Sequence, residues 1–161
     1  MTKQEFIAMR QHEFPKTLKL FRLYPEDKKD MKPADMIRSA VELVTTFINE
    51  ENINKSYAST GKFDMMNFAW ESPQASMKAA IDRLESVARE TDAALDSLSE
   101  ADFQKGTDFF GIQMPLSATL LNILLDHIHH RGQFTIYSRM AGGKVPQIYG
   151  PSADEPWQPP Q

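Results

Sequence analysis

The stretch Leu116–Ala141, LSATLLNILLDHIHHRGQFTIYSRMA, decides the fold because apolar residues surround it on nearly every side. At about 100° per residue, an α-helix aligns one stripe at alternating spacings of four and three: Leu116, Leu120, Ile123, His127, His130, Phe134, Tyr137 and Ala141. The opposite side carries Leu121, Leu124, Leu125 and Ile128. A helix that is apolar nearly all round belongs in the interior of a bundle. We therefore predict that His127 and His130 face the core and that His129 points to solvent.

Three further helices are predicted before this one. Thr2 and Glu5 form a capping-box pattern that predicts the start of a first helix, in which Pro15 predicts a kink or a division into two shorter helices. Two adjacent apolar lines predict a second helix from residues 33–35 to about residue 52. Apolar residues that recur at spacings of four and three over 77–98 predict a third helix with the seam typical of bundles.

The connecting segments are long. Residues 24–33 contain two prolines and a run of charges, which is typical of a loop. Residues 61–73 fit either a short helix or a covering loop, and residues 99–114 indicate an irregular segment that crosses the bundle in its interior. Ser117 is the candidate N-terminal cap of the last helix, and Gly142-Gly143 predict its end.

The C-terminal residues 144–161 hold five prolines and are predicted to be extended. We expect residues 144–150 to pack on the bundle and to shape the mouth of a cavity, whereas residues 158–161 should fray. Taken together, the pattern predicts an all-α fold: a four-helix bundle with long connections and a non-helical C-terminal segment. We predict that residues 1–161 form a single domain.

Composition narrows the class of function. A formal net charge of −4 disfavours nucleic acid as a partner, and no stretch approaches the roughly 18 apolar residues of a membrane span. The absence of cysteine excludes zinc–thiolate sites and a cysteine nucleophile and fits a reducing compartment, and the charged N-terminus lacks the pattern of a signal peptide. We therefore predict a cytoplasmic protein. Its 41% hydrophobic residues and the apolar segment 63–70 predict a homodimer.

Metal binding is the chemistry that the central stretch indicates most directly. Asp126 lies one helical turn before His130, and His127 lies three residues before it, so either pair presents two ligands to one point. A third ligand must come from another helix, and Glu50 is the candidate on the second helix, with His127 as a substitute ligand. Two carboxylates and one imidazole form a harder site than three imidazoles, which shifts the preference from zinc toward manganese or iron. The alternative is a metal-free network of hydrogen-bonded carboxyls and histidines.

Three neighbours of His130 bear on the same site. Arg131 either binds a carboxylate or phosphate or pairs with an acidic side chain of the protein. Gly132 allows either close helix packing or the approach of a ligand, at a cost of up to about 1 kcal/mol relative to alanine. Gln133 is a candidate hydrogen-bond partner that would orient a metal-bound histidine.

The run from His129 to Ser152, HHRGQFTIYSRMAGGKVPQIYGPS, resembles the DinB/YfiT-like family of metal-dependent four-helix-bundle proteins. The resemblance reaches back to the second predicted helix, at Pro33, Ser39 and Glu42-Leu43. With the lengths of the intervening segments it covers nearly the whole chain, and it implies a helical bundle.

The same resemblance implies a metal held by one histidine on the second helix and by an H-x-x-x-H pair on the last. The matching positions in this sequence are Thr46, Asp126 and His130, so two of the three histidines are replaced. Some relatives are thought to be thiol-dependent transferases or isomerases, and the family resemblance also points to a dimer.

Two functional hypotheses follow from these observations. In the first, one divalent metal (Mn, Fe, Ni or Zn) beside Asp126, His127 and His130 activates water or a low-molecular-weight thiol. The protein would then be a metal-dependent hydrolase or a thiol-dependent transferase acting on a small molecule. In the second, the protein kept the fold but lost the metal site, and it serves as a non-catalytic, stress-related binding protein.

Overall fold

The computed structural model describes residues 1–159, and the predicted fraying of residues 158–161 therefore falls partly outside the described residues. The helices are α1 (Lys3–Arg22), α2 (Ala40–Thr60), α3 (Met77–Ser97), the short α4 (Glu100–Phe103) and α5 (Leu116–Met140). Two short strands, β1 (Gly106–Phe109) and β2 (Ile112–Pro115), form an antiparallel hairpin between α4 and α5. The prediction of an all-α bundle of four long helices is confirmed, with this hairpin as an addition.

The bundle is built from the four long helices. Helix α2 packs against α3 and α5, and α1 packs against the same two helices. Phe21 of α1, Phe47 of α2 and Phe134 of α5 meet between them, and the ring centroid of Phe21 lies 4.9 Å from Phe47 and 4.6 Å from Phe134. This aromatic contact ties three of the helices together next to the face of α5 that carries the histidines.

Local capping explains where the first two helices begin. The Thr2–Glu5 capping box is present at the start of α1, as predicted. A second capping box, Ser39 with Glu42, starts α2 later than the predicted residues 33–35, and α2 continues beyond residue 52 to Thr60. Residues 33–38 are therefore free to form part of a surface pocket.

Pro15 lies inside α1, which is one continuous helix, so the alternative of two shorter helices is wrong. A proline inside a helix removes one backbone hydrogen bond and costs about 3 kcal/mol or more. Phe6 and Phe21, on either side of Pro15, are almost completely buried. The burial of these two side chains in the core offsets the cost of Pro15 and keeps α1 continuous.

The structure corrects the expectations for the segments that precede α5. Residues 61–73 form a loop, and residues 99–114 form α4 and most of the exposed hairpin, so the prediction of an interior crossing segment is wrong. The hairpin turn uses Phe110 and Gly111, which both adopt positive φ. Ser117 does not cap α5, because its hydroxyl donates a hydrogen bond to Gln104 Oε1 at 3.1 Å instead.

After α5 the chain turns at Gly142, whose φ of 76° suits glycine, and folds back over the bundle. Val145 is buried in the core. Ion pairs of Lys19 with Glu155 (2.8 Å) and of Arg139 with Asp154 (2.9 Å) hold the following residues. The prediction that residues 144–150 pack on the bundle is confirmed.

Two further properties of the helices are relevant to function. Apart from its chain neighbours and the nearby backbone of α5, a Cβ atom on Gly132 would meet no atom of the described residues within 4 Å, so the alternative of close helix packing there is wrong. Among the described residues, no helix is both long enough and apolar enough to cross a membrane.

Candidate metal centre

Glu50, Asp126 and His130 come together where α2 packs against α5, and one ligand atom from each lies within 4.8 Å of the others. His130 Nε2 is 3.6 Å from Glu50 Oε1 and 3.6 Å from Asp126 Oδ2. Asp126 and His130 share one face of α5 because they are four residues apart. The structure therefore assembles the three side chains that were predicted as metal ligands.

Glu50 is the buried member of this group. Its side chain is 8% exposed, and neither carboxyl oxygen has a hydrogen-bond partner among the described residues. Burial, followed by the negative charges of Asp126 and Glu51, raises the pKa of Glu50 well above its ordinary value. A buried carboxyl without donors is costly, and it requires either a proton or a cation.

His130 presents a nitrogen lone pair to the two carboxyls. Its Nδ1 lies 2.9 Å from Gln133 Oε1, and in the tautomer that donates to this oxygen Nδ1 carries the proton. The Gln133 amide in turn donates to His129 Nε2 at 2.9 Å. In the neutral ring this leaves His130 Nε2 unprotonated and directed toward Glu50 and Asp126. Gln133 therefore contacts His130 as predicted and fixes the tautomer that binds cations.

His127 lies beside this group but outside it. Its Nε2 is 2.7 Å from Thr17 Oγ1, and its Nδ1 is 3.9 Å from Glu50 Oε2. Burial, followed by the nearby positive charges of Arg131 and Arg10, lowers the pKa of His127 to about 3. His127 is thus a neutral core residue bonded to α1, and the structure does not add it to the three grouped side chains as a substitute ligand.

Arg131 pairs with an acidic side chain of the protein. Its Nη2 lies 2.6 Å from Glu13 Oε2, and its Nη1 donates to the Glu13 carbonyl at 3.0 Å. The same Nη2 donates to the Tyr149 hydroxyl, which donates to Glu13 Oε2, both at 2.5 Å. Arg131 is therefore a structural residue that joins α1, α5 and the C-terminal segment.

Sequence reasoning missed the polar residues that α1 directs into the core. Arg10, Glu13 and Thr17 are all buried. They follow Phe6 at spacings of four, three and four, on the same helical stripe that continues to Phe21. This spacing was the available signal, because charged residues on an otherwise apolar stripe indicate a buried polar network.

A pocket of about 550 Å³ opens beside His130. It is lined by residues that precede α2, by Leu43 of α2 and by part of α5: Pro33, Met36, Ile37, Arg38, Leu43, His130, Gln133, Ile136 and Tyr137. No described residue of the C-terminal segment, 144–159, lines it, so the prediction that this segment shapes the mouth is wrong for this pocket. Because α2 starts at Ser39, residues 33–38 form the wall instead.

Comparison with solved structures identifies the same fold. A DinB-like protein from Bacillus cereus ATCC 10987 superposes with a TM-score of 0.79 and 24% identity, over 92% of this chain and 98% of that chain. The DinB-like protein YjoA from Bacillus subtilis gives a TM-score of 0.72 and 21% identity, over 87% of this chain and 93% of that chain. At these identities the likeness shows a shared fold.

Comparison with sequences identifies the family. The uncharacterized protein YrdA from Bacillus subtilis strain 168 is 44% identical over 52 residues, which are 32% of this chain and 31% of YrdA. The aligned part thus spans less than a third of that curated relative. The family model described as "DinB family" matches residues 54–160, which include the hairpin, all of α3 and α5, and Tyr149. The chain belongs to the DinB family.

Proposed function

We propose that this protein binds one divalent cation through Glu50, Asp126 and His130 and acts on a small molecule held in the adjacent pocket. The observation that carries the proposal is the carboxyl of Glu50. It is buried, has no hydrogen-bond partner among residues 1–159, and lies 3.6 Å from His130 Nε2. A divalent cation between these atoms would satisfy both groups.

The available donors suit a hard or borderline cation. Two carboxylates and one imidazole favour Mn²⁺ or Fe²⁺ over Zn²⁺. Thr46, at the position where the resemblance implies a histidine, donates its hydroxyl to the Glu42 carbonyl at 3.3 Å and is no substitute ligand. The Asp126 side chain is 57% exposed, so the group is open to solvent on that side and can admit a substrate.

The residues around Glu50, Asp126 and His130 would have different roles in a reaction. A bound cation would supply Lewis-acid polarisation or activate water or a thiol. Gln133 keeps His130 in the required tautomer, and Phe47 packs against the rings of both His127 and His130 and keeps water from the inner side. Hydrolysis and transfer from a low-molecular-weight thiol are the two reaction classes that we propose.

The test is elemental analysis of the protein purified without a histidine tag, followed by an activity assay with and without a low-molecular-weight thiol. We expect about one divalent metal per chain in the wild type and a large loss in His130→Ala. His12→Ala is the control, because His12 is an exposed histidine on α1 outside the grouped side chains and outside the hydrogen bonds of Gln133, and it should keep the metal. Metal-free wild-type protein would instead support the alternative, a non-catalytic stress-related binding protein.

We also propose that the protein is a cytoplasmic homodimer. The apolar character of α5 supports the dimer, because Leu125 and Met140, which lie on its outer side and do not line the pocket, are each more than half exposed. The cytoplasmic location rests on the absence of cysteine, which fits a reducing compartment. A monomeric mass by light scattering at micromolar concentration would contradict the dimer.

A further inference from the structure

Arg38 is the residue that connects the pocket with the candidate metal centre. Its Nη1 donates a hydrogen bond to Thr46 Oγ1 at 3.1 Å, and Thr46 lies one helical turn before Glu50 on α2. The Tyr137 hydroxyl donates to the Arg38 carbonyl at 2.8 Å and anchors its backbone to α5. Among residues 1–159, no carboxylate lies within ion-pair distance of the Arg38 guanidinium.

The pocket has one polar end and one apolar wall. Arg38, His130 and Gln133 supply the polar groups, and the wall consists mainly of Met36, Ile37, Leu43 and Ile136. Its volume of about 550 Å³ lies within the range of pockets that bind small molecules. Met36 is 99% exposed, which leaves the pocket open and a large apolar side chain uncovered.

The charges select the kind of ligand. A divalent cation held by two ionised carboxylates leaves no net charge at the centre, and the Arg38 guanidinium then adds one positive charge to the polar end. A planar guanidinium with free donors matches a carboxylate, which it binds through two parallel hydrogen bonds. Arg38 is exposed, so water would continue to solvate its guanidinium beside an uncharged ligand, whereas a carboxylate would gain the ion pair and a cationic ligand would be repelled.

We propose that this pocket binds a small monoanion with an apolar body, whose carboxylate pairs with Arg38 while its apolar part lies on Met36, Ile37 and Ile136. This inference names the ligand class for the site described under Proposed function and rests on that proposal. It makes Arg38 the residue that selects the charge of the ligand and places its anionic group beside His130.

The test is an NMR titration of the ¹⁵N-labelled protein with hexanoate, hexan-1-ol and hexylamine, with and without one equivalent of Zn²⁺, which is diamagnetic. We expect hexanoate to bind at least tenfold more tightly than hexan-1-ol, hexylamine to bind most weakly, and the largest shifts at the amides of Ile37, Gln133 and Ile136. Arg38→Gln should weaken hexanoate binding about tenfold and leave hexan-1-ol binding within about twofold, which is a loss of about 1.4 kcal/mol for the anion alone.

Two variants serve as controls. Arg38→Lys keeps the charge and should retain part of the preference for hexanoate. Arg89→Gln removes an exposed arginine from α3, outside the pocket, and should behave as the wild type. Equal binding of hexanoate by wild type and Arg38→Gln, or no binding by the wild type, would overturn the inference. Hexanoate binding that depends on Arg38, in a protein that takes up neither Mn²⁺ nor Zn²⁺ when the metal is added, would refute the proposed function and leave this inference standing.

Discussion

Glu50 and Glu51 are consecutive residues of α2, both are buried, and they have opposite surroundings. Arg10 donates two parallel hydrogen bonds to Glu51, from Nη1 to Oε1 and from Nη2 to Oε2, each at 2.7 Å. The Nε of Arg10 also donates to Asp92 at 2.7 Å. Glu50 points about 100° away from Glu51 around the helix axis. It faces α5 and has no hydrogen-bond partner among the described residues.

This contrast distinguishes Glu51, whose carboxylate is paired within the fold, from Glu50, whose carboxyl is suited to bind a cation. Burial by itself lowers the pKa of Arg10, but the charges of Glu51 and Asp92 outweigh burial and raise it, so the guanidinium stays ionised and depends on its carboxylate partners. Among the described residues, no hydrogen-bonded partner compensates the burial of Glu50, and the charge of Arg38 lowers its pKa less than burial raises it. Unsatisfied buried carboxyls with raised pKa values cluster at functional sites, and this contrast within one helix is the basis of our proposal.

The largest effect on the free energy of unfolding should come from breaking the Arg10–Glu51 pair. Glu51→Gln leaves the buried guanidinium of Arg10 without its bidentate partner, which typically costs about 4 kcal/mol of unfolding free energy. Chemical denaturation at pH 7 measures this loss. A change below about 1 kcal/mol would mean that the Arg10–Glu51 pair is not a structural element.

A second satisfied cluster should respond to acid. Burial raises the pKa of Glu13, but hydrogen bonds from Tyr149 and Arg131 outweigh it and lower the pKa to about 2. A lowered carboxyl pKa contributes stability above its ordinary value of about 4.5, and this contribution is lost as the pH falls through about 2. Glu13→Gln should therefore cost about 3 kcal/mol at pH 7 and progressively less as the pH falls toward 2. Unfolding curves for both proteins at pH 7, 4 and 3 would show this convergence, and a constant difference would contradict it.

In chelator-treated protein, Glu50→Gln should lower the free energy of unfolding less than Glu51→Gln or Glu13→Gln. Its effect should also have the opposite pH dependence to that of Glu13→Gln. Because the folded state raises the pKa of Glu50, the favourable contribution of the protonated carboxyl is complete below about pH 4.5 and is lost as the pH rises through the raised value. Glutamine does not titrate, so Glu50→Gln should be at least as stable as the wild type at pH 8. A loss at pH 8 as large as that of Glu51→Gln would contradict the contrast between the two glutamates.

Spacing along the chain predicted the long helices and part of the site. The four-and-three repeats of α3 and α5 are local and survive in the fold, and Asp126 with His130 could be paired because helical geometry alone brings them together. Glu50 was chosen as the carboxylate of α2 that lies one helical turn after Thr46, the position that the family resemblance matches to a histidine. These inferences needed no knowledge of how the helices pack.

The partners of the charged residues could not be predicted in the same way. Arg10 and Glu51 are 41 residues apart, and Glu13 and Arg131 are 118 residues apart, so only tertiary packing brings them together. A cavity beside His130 was expected, but the part of its wall formed by residues 33–38 was missed, because residues 33–35 were assigned to the start of α2. The capping box at Ser39 was a local signal for the true start, and it would have left Arg38 in a connecting segment.

The most direct test of the central claim, that Glu50 is a metal ligand, is calorimetric titration of chelator-treated protein with Mn²⁺. We compare the wild type with Glu50→Gln, with His130→Ala, and with His12→Ala as the control. The wild type and the control should bind one Mn²⁺ per chain and release protons, increasingly so below the raised pKa of Glu50. Glu50→Gln and His130→Ala should lose at least about 100-fold in affinity, or about 2.7 kcal/mol. Equal Mn²⁺ binding by all four proteins, or no binding by the wild type, would contradict the account.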